Sequence, residues 1–223
     1  MIFAIRPEPG LQATLQAARD LGLAIIGRPL FEVHPVGWNA PDPADFDALL
    51  VGSANAFRHG GAALEKFVSL PVHAVGEATA EAAREAGFTV AHIGEGGLQT
   101  VVDAAKTPVR FLRLAGADHV DIDMPKGVQV KPVVVYDVRA IPLTGGDEIS
   151  LRASDSLVLL HSAAAARHFA SEVDRRGLDR AALSLACLGP RIAKAAGKGW
   201  KRVKTPPQPS DAALLELARD MCH

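Results

Sequence analysis

The chain contains an internal repeat, and the order of its copies restricts the fold more than any other feature. Residues 47–58 (DALLVGSANAFR) resemble residues 155–167 (DSLVLLHSAAAAR), and residues 74–83 (AVGEATAEAA) resemble residues 187–196 (CLGPRIAKAA). Each copy joins a short apolar run to a small polar turn and then to an alanine-rich stretch. This pattern predicts buried parallel strands, each followed by a loop and a helix.

The second copy ends early, and its missing parts stand at the beginning of the chain. Residues 109–116 of the first copy correspond to residues 2–10, and residues 130–136 correspond to residues 24–33. The two copies are therefore related by a circular offset. Such an offset is expected when one copy is inserted into the other.

This offset predicts an α/β fold with two similar flavodoxin-like parallel-sheet domains, one of them discontinuous. Residues 1–36 and 143–223 would form one domain, and residues 37–138 the inserted one. A two-strand linker would join them, and Pro35 and Pro142 suit it because proline discourages helix. The alternative is one sheet of about ten strands, which leaves the repeat unexplained and exceeds the ~4–6 strands of most sheets.

The periodicity of apolar residues places the individual elements. Strands are predicted over residues 2–5, 24–26, 48–51, 72–75, 90–93, 109–114, 130–136, 157–160, 185–188 and 202–204. Helices are predicted over residues 10–21, 55–67, 78–86, 98–105, 164–176, 191–196 and 211–221.

Composition excludes several classes of protein. Among 223 residues, 48% are hydrophobic and the net charge is −1, with no cluster of basic residues, which argues against a nucleic-acid partner. No apolar run has the length of a membrane helix, and the N-terminus lacks the pattern of a signal peptide. Cys187 and Cys222 provide neither a disulfide framework nor a metal cluster. We expect a cytoplasmic protein.

Small polar turns follow most of the predicted strands. In an open parallel sheet, ligands bind beyond the carboxyl ends of strands, where helix N-termini present free N–H groups. Capping explains each turn taken alone. Together the turns would line a cleft suited to a ligand with many carboxylates. They lie at residues 53–55, 76–79, 94–97, 116–117, 162–163 and 189–190.

Tyr136 is the only tyrosine, and it ends the strong apolar strand that leads into the second crossing. A tyrosine with a pKa near ~10 is protonated at neutral pH and can donate to a leaving group. The alternative is a half-buried aromatic residue that favours a strand. Arginines also stand at strand ends or helix starts, at Arg6, Arg113, Arg167 and Arg191. The scattered histidines lack zinc-ligand spacing, so no metal site is predicted.

Several segments resemble uroporphyrinogen-III synthases. Residues 74–88 (AVGEATAEAAREAGF) are similar to the signature segment of that family. The resemblance covers the whole chain and includes the permuted two-domain plan. The other matching segments follow in the family's order: RP at 6–7, LVGSANA at 50–56, LRLAG at 112–116, VY at 135–136 and LHS at 160–162.

The resemblance implies a cofactor-free lyase of tetrapyrrole and heme biosynthesis that acts on hydroxymethylbilane, with a monomer as the expected state. The substrate would lose its terminal hydroxyl to give an azafulvene and close through a spiro intermediate, which inverts the last pyrrole. Tyr136 matches the tyrosine thought to assist hydroxyl departure, and Thr79 and Ser53 match substrate-binding positions. The complete set of predicted substrate-binding residues is Arg6, Ser53, Ala54, Asn55, Gly76, Thr79, Gly116, Ser162 and Gly189.

This sequence departs from the family pattern at single positions. Gly52 precedes Ser53 where the family often has threonine, Ile5 precedes Arg6 in place of the usual threonine, and Gly189 is followed by proline without a later threonine. Two other interpretations stay open. A non-catalytic tetrapyrrole-binding or sensor protein would share the two domains. A flavin-binding pair of flavodoxin-like domains would need a Ser/Thr-rich loop after the first strand, where RPEPG stands at residues 6–10.

Overall fold

The computed structural model describes residues 1–152 and 155–222. The strands are β1 (Ile2–Ala4), β2 (Ile25–Gly27), β3 (Phe31–Pro35), β4 (Ala48–Val51), β5 (Val72–Val75), β6 (Val90–Gly94), β7 (Val109–Gly116), β8 (Val128–Ala140), β9 (Ser156–Leu160), β10 (Leu183–Cys187) and β11 (Arg202–Lys204). The α-helices are α1 (Gly10–Asp20), α2 (Asn55–His59), α3 (Glu77–Glu85), α4 (Leu98–Asp103), α5 (Gly145–Arg152), α6 (Ala163–Arg175), α7 (Pro190–Ala196) and α8 (Asp211–Cys222).

The chain divides into two compact units. Met1–Glu32 and Ala140–His223 form the first unit, and Val33–Arg139 form the second. The predicted domain limits differ from these boundaries by at most four residues. Within the described residues, no helix is both long and apolar enough to cross a membrane.

The first unit contains a five-stranded parallel sheet in the order β11-β10-β9-β1-β2. Every residue of β9 and of β10 is buried, because helices cover both faces of the sheet. Leu157 and Leu159 pack with residues of α1 and α8, whereas Val158 and Leu160 pack with residues of α6 and α7. Each such side chain stabilises the fold by roughly 1.5–3 kcal/mol. Burial on both faces explains why these strands read as continuous apolar runs.

The second unit contains a six-stranded sheet in the order β3-β8-β7-β4-β5-β6. The five strands from β8 to β6 are parallel. Leu49 and Val51 pack with residues of α2 and α3, and Ala48 and Leu50 pack with residues of α4. Apart from β3, the strands stand in the same order as their counterparts in the sequence repeat: β8-β7-β4-β5-β6 corresponds to β2-β1-β9-β10-β11. The predicted parallel α/β architecture is confirmed.

The chain passes between the units in β3 and β8, which are neighbours in the six-stranded sheet. The Val36 N–H donates to the Val135 carbonyl at 3.1 Å, and the Ile141 N–H donates to the Leu30 carbonyl at 2.8 Å. These bonds pair residues that run in opposite directions, as in an antiparallel pair. The apolar periodicity placed no strand limits at residues 31–35, and β3 supplies them; β3 and β8 agree with the predicted two-strand linker.

One predicted helix is interrupted in the structure, and one helix was not predicted. The helix predicted over residues 55–67 is divided into α2 and a 3-10 helix (Ala62–Phe67), because Gly60 and Gly61 interrupt it. Glycine costs about 1 kcal/mol in a helix interior, and here two stand together. Helix α5 was not predicted, because its first turn begins with Gly145 and Gly146 and offers little apolar periodicity. Packing of Leu151 into the core stabilises it.

Candidate active site

A cavity of about 230 Å³ opens at the carboxyl ends of β4, β7 and β8 in the second unit. These three strands are neighbours in the sheet, so the residues that follow them meet at one edge, where parallel sheets bind ligands. Three of the predicted site residues line this cavity together: Ser53, Gly116 and Tyr136. The other lining residues are Gly52, Leu98, Arg113, Leu114, Ala115, Ala117, Asp118, His119, Val120 and Val138.

The Tyr136 ring lies directly over the backbone of Gly116. A Cβ atom placed on Gly116 would come within 2.7 Å of the ring and 3.0 Å of the Tyr136 hydroxyl, so no larger residue fits without movement. The pairing of β7 with β8 shifts here, with Ala115 opposite Val134 and Gly116 opposite Tyr136. This bulge leaves Val135 as an extra residue in the buried core. Bulges re-aim neighbouring side chains, and here the result is a tyrosine that faces the cavity.

The Tyr136 hydroxyl has no hydrogen-bond partner within residues 1–152 and 155–222. It lines the cavity as a free donor, which is the state required of a group that donates to a departing oxygen. The structure thus places the predicted catalytic side chain where it can meet a ligand.

Arg113 is the buried cation of this cavity. Its residue is 5% exposed, and its Nη1 donates to the carbonyl of Val120 at 2.7 Å. Its Nε is buried without a hydrogen-bond partner in the described structure. Burial lowers the pKa of Arg113, although the charge of nearby Asp121 opposes that shift. An arginine keeps its proton in proteins, so the cavity contains a fixed positive charge.

Ser53 follows β4 and begins the turn into α2. Its Oγ accepts a hydrogen bond from the Asn55 N–H at 3.3 Å, and its carbonyl accepts one from the Ala56 N–H at 3.1 Å. The hydroxyl proton of Ser53 stays available for a ligand, since a hydroxyl both accepts and donates. Ala54 and Asn55 form the start of the short helix and do not line the cavity.

Gly76 and Thr79 lie at the neighbouring turn from β5 to α3, outside the residues that line the cavity. Gly76 has a φ of +76°, a conformation that glycine adopts without the strain of a side chain. The backbone N–H of Thr79 donates to the Gly76 carbonyl at 3.2 Å. The side chain of Thr79 is almost buried, at 5% exposure of the residue.

Arg6, Ser162 and Gly189 belong to the first unit, where they follow the neighbouring strands β1, β9 and β10. The Ser162 Oγ caps α6 by accepting from the Ala165 N–H at 3.1 Å, and Gly189 precedes α7. Arg6 donates to the Thr14 hydroxyl at 3.2 Å and lies 3.5 Å from Asp211.

Asp211 organises a polar cluster around Arg6. Its carboxylate accepts from the Thr14 hydroxyl at 2.8 Å and lies 2.7 Å from the His161 Nε2. Burial alone would raise the pKa of Asp211, but the hydrogen bonds from His161 and Thr14 and the charge of Arg6 bring it below its usual value. The positive charge of Arg6 is therefore balanced within the protein.

A second cavity of about 370 Å³ lies in the second unit near the amino end of β5 and the middle of β6, lined partly by His73 and His92. The two imidazole rings are 5.7 Å apart, and burial together with His92 lowers the pKa of His73. Among the described residues, no group of three or more His, Cys, Asp or Glu side chains could hold a metal ion.

Part of this site was not predicted from the sequence. Arg113 was noted at a strand end but was not placed among the substrate-binding residues, and His119, whose Nδ1 lies 3.0 Å from the Gly116 carbonyl, was not considered. The sequence feature that could have indicated Arg113 is its position as a charged residue inside the apolar run FLRLA at residues 111–115. Charged side chains are almost never fully buried unless they have a partner or a function.

Known proteins resemble this chain in sequence pattern and in fold. A family model described as uroporphyrinogen-III synthase HemD matches residues 12–216. A uroporphyrinogen-III synthetase from Helicobacter pylori is similar in structure, with a TM-score of 0.65 and 19% identity over 99% of this chain and 98% of that one. A mutant uroporphyrinogen III synthase from Thermus thermophilus gives a TM-score of 0.54 and 17% identity over 100% and 99%. Among curated protein sequences, none matches this chain significantly.

Proposed function

The chain belongs to the uroporphyrinogen-III synthase family, and from this premise we propose how its own residues perform the reaction. The family consists of lyases that act on hydroxymethylbilane in heme biosynthesis, and this protein is such an enzyme. The observation that carries the proposed mechanism is the free hydroxyl of Tyr136, which faces a cavity beside a buried arginine.

Tyr136 assists the first chemical step. The carbon–oxygen bond of the terminal hydroxymethyl group breaks, and the hydroxyl leaves as water with the proton donated by Tyr136. The pyrrole N–H gives up its proton in turn, which leaves the azafulvene. General acid assistance of this kind typically contributes ~10²–10⁴-fold to the rate. No metal or cofactor is needed for this loss of water.

The remaining steps depend on the shape in which the substrate is held. The bilane also cyclises without an enzyme, to the isomer whose last ring is not inverted. The enzyme therefore has to hold the folded geometry in which the azafulvene carbon meets the substituted position of the last pyrrole. We propose that backbone N–H groups and hydroxyls bind the carboxylate arms for this purpose, at Arg6, Ser53, Ala54, Asn55, Gly76, Thr79, Gly116, Ser162 and Gly189.

Ser53 and Gly116 have the strongest support in this set, because they line the same cavity as Tyr136. Thr79 has the least exposed side chain of the three hydroxyl residues. We further propose that the two compact units act as separate domains, and that the protein works as a monomer in the cytoplasm.

The test is to supply freshly prepared hydroxymethylbilane and to separate the type I and type III isomers of the oxidised product. The uncatalysed reaction gives type I, so a buffer control and a heat-denatured control define the background. We expect rapid formation of type III. Slow formation of type I alone, at the rate of the controls, would refute the proposed catalysis. Tight binding of the product without turnover would instead support a tetrapyrrole sensor.

A further inference from the structure

Arg113 differs from the other charged residues of the second unit because it is buried and has few hydrogen bonds. It lies inside β7, between Leu112 and Leu114, and it is 5% exposed. Its one hydrogen bond in the described structure runs from Nη1 to the Val120 carbonyl. Its Nε is buried without a partner. The side chain nevertheless lines the cavity that contains Tyr136.

A guanidinium carries five N–H donors in a planar fork. Taking such a charge out of water costs several kcal/mol unless an opposite charge and hydrogen bonds compensate. Asp121 is near enough to favour the charged form of Arg113 but forms no ion pair with it within the described residues. Asp118 also lines the cavity, where it is exposed to water. The protein itself thus leaves the charge of Arg113 largely uncompensated.

We propose that Arg113 binds a carboxylate arm of the tetrapyrrole in this cavity and so holds the substrate beside Tyr136. This inference rests on the proposed function, and it adds a specific charged contact to the expected backbone N–H groups. A carboxylate supplies both the negative charge and the oxygen atoms that the guanidinium lacks. The cavity volume of about 230 Å³ accommodates a side arm rather than a whole macrocycle.

A purely structural role would be different in its consequences. In that case Arg113 would only hold the segment after β7 through the Val120 carbonyl. Its replacement would lower the melting temperature and leave affinity for a polycarboxylate unchanged. Binding measurements therefore separate the two roles better than activity alone.

The experiment compares Arg113→Met, which keeps the length of the side chain but removes the charge, with Arg113→Lys, which keeps the charge but lacks the planar fork. Arg110→Met is the matched control. Arg110 lies on the same strand and is exposed. Its Nη2 lies 2.8 Å from the Asp47 Oδ1, and neither residue lines this cavity. The probes are uroporphyrin III, the oxidised and stable form of the product, and coproporphyrin III, in which methyl groups replace the acetate arms. Titration of each protein with each porphyrin gives the dissociation constants.

We expect Arg113→Met to weaken uroporphyrin binding about ten- to a hundredfold, which is the usual contribution of hydrogen bonds to a charged group. Arg113→Lys should weaken it less, because the charge is kept. Arg110→Met should bind as the wild type does. In kinetics with hydroxymethylbilane, KM should rise in Arg113→Met more than kcat falls. Weakened coproporphyrin binding in the variant would assign a propionate arm to Arg113, and unchanged coproporphyrin binding would assign an acetate arm.

An unchanged uroporphyrin dissociation constant in Arg113→Met overturns the proposal; should Arg113→Met not fold, the same result in Arg113→Gln, which also lacks the charge, overturns it. That outcome leaves the enzymatic function intact if the wild type still forms the type III isomer. Conversely, a wild type that binds uroporphyrin through Arg113 but does not convert hydroxymethylbilane would refute the proposed catalysis and keep this binding site.

Discussion

Each sheet has an arginine near the carboxyl end of one of two corresponding strands, and the two arginines are held in opposite ways. Arg6 follows β1 and Arg113 lies near the end of β7, and both strands have matching neighbours in their own sheets. Arg6 is held by Thr14 and Asp211. Arg113 is more deeply buried and has only a backbone carbonyl. The end of β1 thus contains a structural ion cluster, and the end of the corresponding β7 contains an unbalanced charge beside a cavity.

This difference indicates where ligand charge matters most. A cation that is already balanced by the protein gains little from a ligand, whereas an unbalanced one gains the whole interaction. The second unit also contains the free Tyr136 hydroxyl. We therefore expect substitutions at the carboxyl edge of the second sheet to affect catalysis most, and those at the corresponding edge of the first sheet to affect stability together with substrate affinity.

The largest effect is expected from Tyr136→Phe, which keeps the ring and removes the donor. We expect kcat to fall by about a hundredfold, the lower end of general acid effects, because water can partly replace the hydroxyl. KM should change little, since the interaction strengthens as the carbon–oxygen bond breaks. The measurement is steady-state kinetics with separation of the product isomers. Full kcat in a folded variant would return Tyr136 to a structural role, and mainly type I product would make it a template rather than an acid.

Gly116→Ala tests the position of the Tyr136 side chain by changing the residue that its ring contacts. The new methyl group would meet the Tyr136 ring at 2.7 Å, so the ring or the strand has to move. We expect a loss of about 1–3 kcal/mol in the free energy of unfolding and roughly a tenfold lower kcat. The control is Gly116→Ala in the Tyr136→Phe background, where kcat should fall no further because the hydroxyl is already gone. An additional tenfold loss in that background would show that Gly116 acts independently of Tyr136.

Asp211→Asn tests the ion cluster of the first unit. The pKa of Asp211 is lowered in the folded protein, so its charge stabilises the fold above the unfolded pKa of about 3.9, and this stabilisation is lost as the pH falls through the folded value. We expect a loss of about 1–2 kcal/mol at neutral pH, which shrinks below about pH 4. Urea unfolding at several pH values measures it. A loss that stays constant down to pH 3 would contradict the assignment to charge.

The smallest effects are expected from two serines in corresponding turns. Ser162→Ala removes the side-chain cap of α6 and should cost about 1 kcal/mol of stability. Ser53→Ala should cost less stability, because α2 is a five-residue helix, but it should raise KM severalfold. Melting temperatures and KM values of both variants give the comparison. A rise of KM in Ser162→Ala as large as that in Ser53→Ala would show that the two serines contribute equally to binding the substrate arms.

Much of the fold follows from local sequence. Strands buried on both faces require continuous apolar runs, and these occur at β9 and β10 as they do at β4. The repeat adds the order in which the strands pair. Helix α5 was missed, and the limits of β3 in the predicted two-strand linker were not placed, because contacts stabilise them rather than their own composition: Leu151 enters the core, and β3 pairs with the distant β8.

The candidate site divides in the same way. The sequence alone predicted that Tyr136 follows an apolar run at a ligand-binding edge, although β8 continues beyond it to Ala140. Only the tertiary structure decided which arginine is balanced. Asp211 meets Thr14 across 197 residues of chain, and Arg113 meets no carboxylate in the described structure. Whether a charge is compensated depends on residues that folding brings together from far apart in the chain. A local sequence pattern contains no information about such contacts.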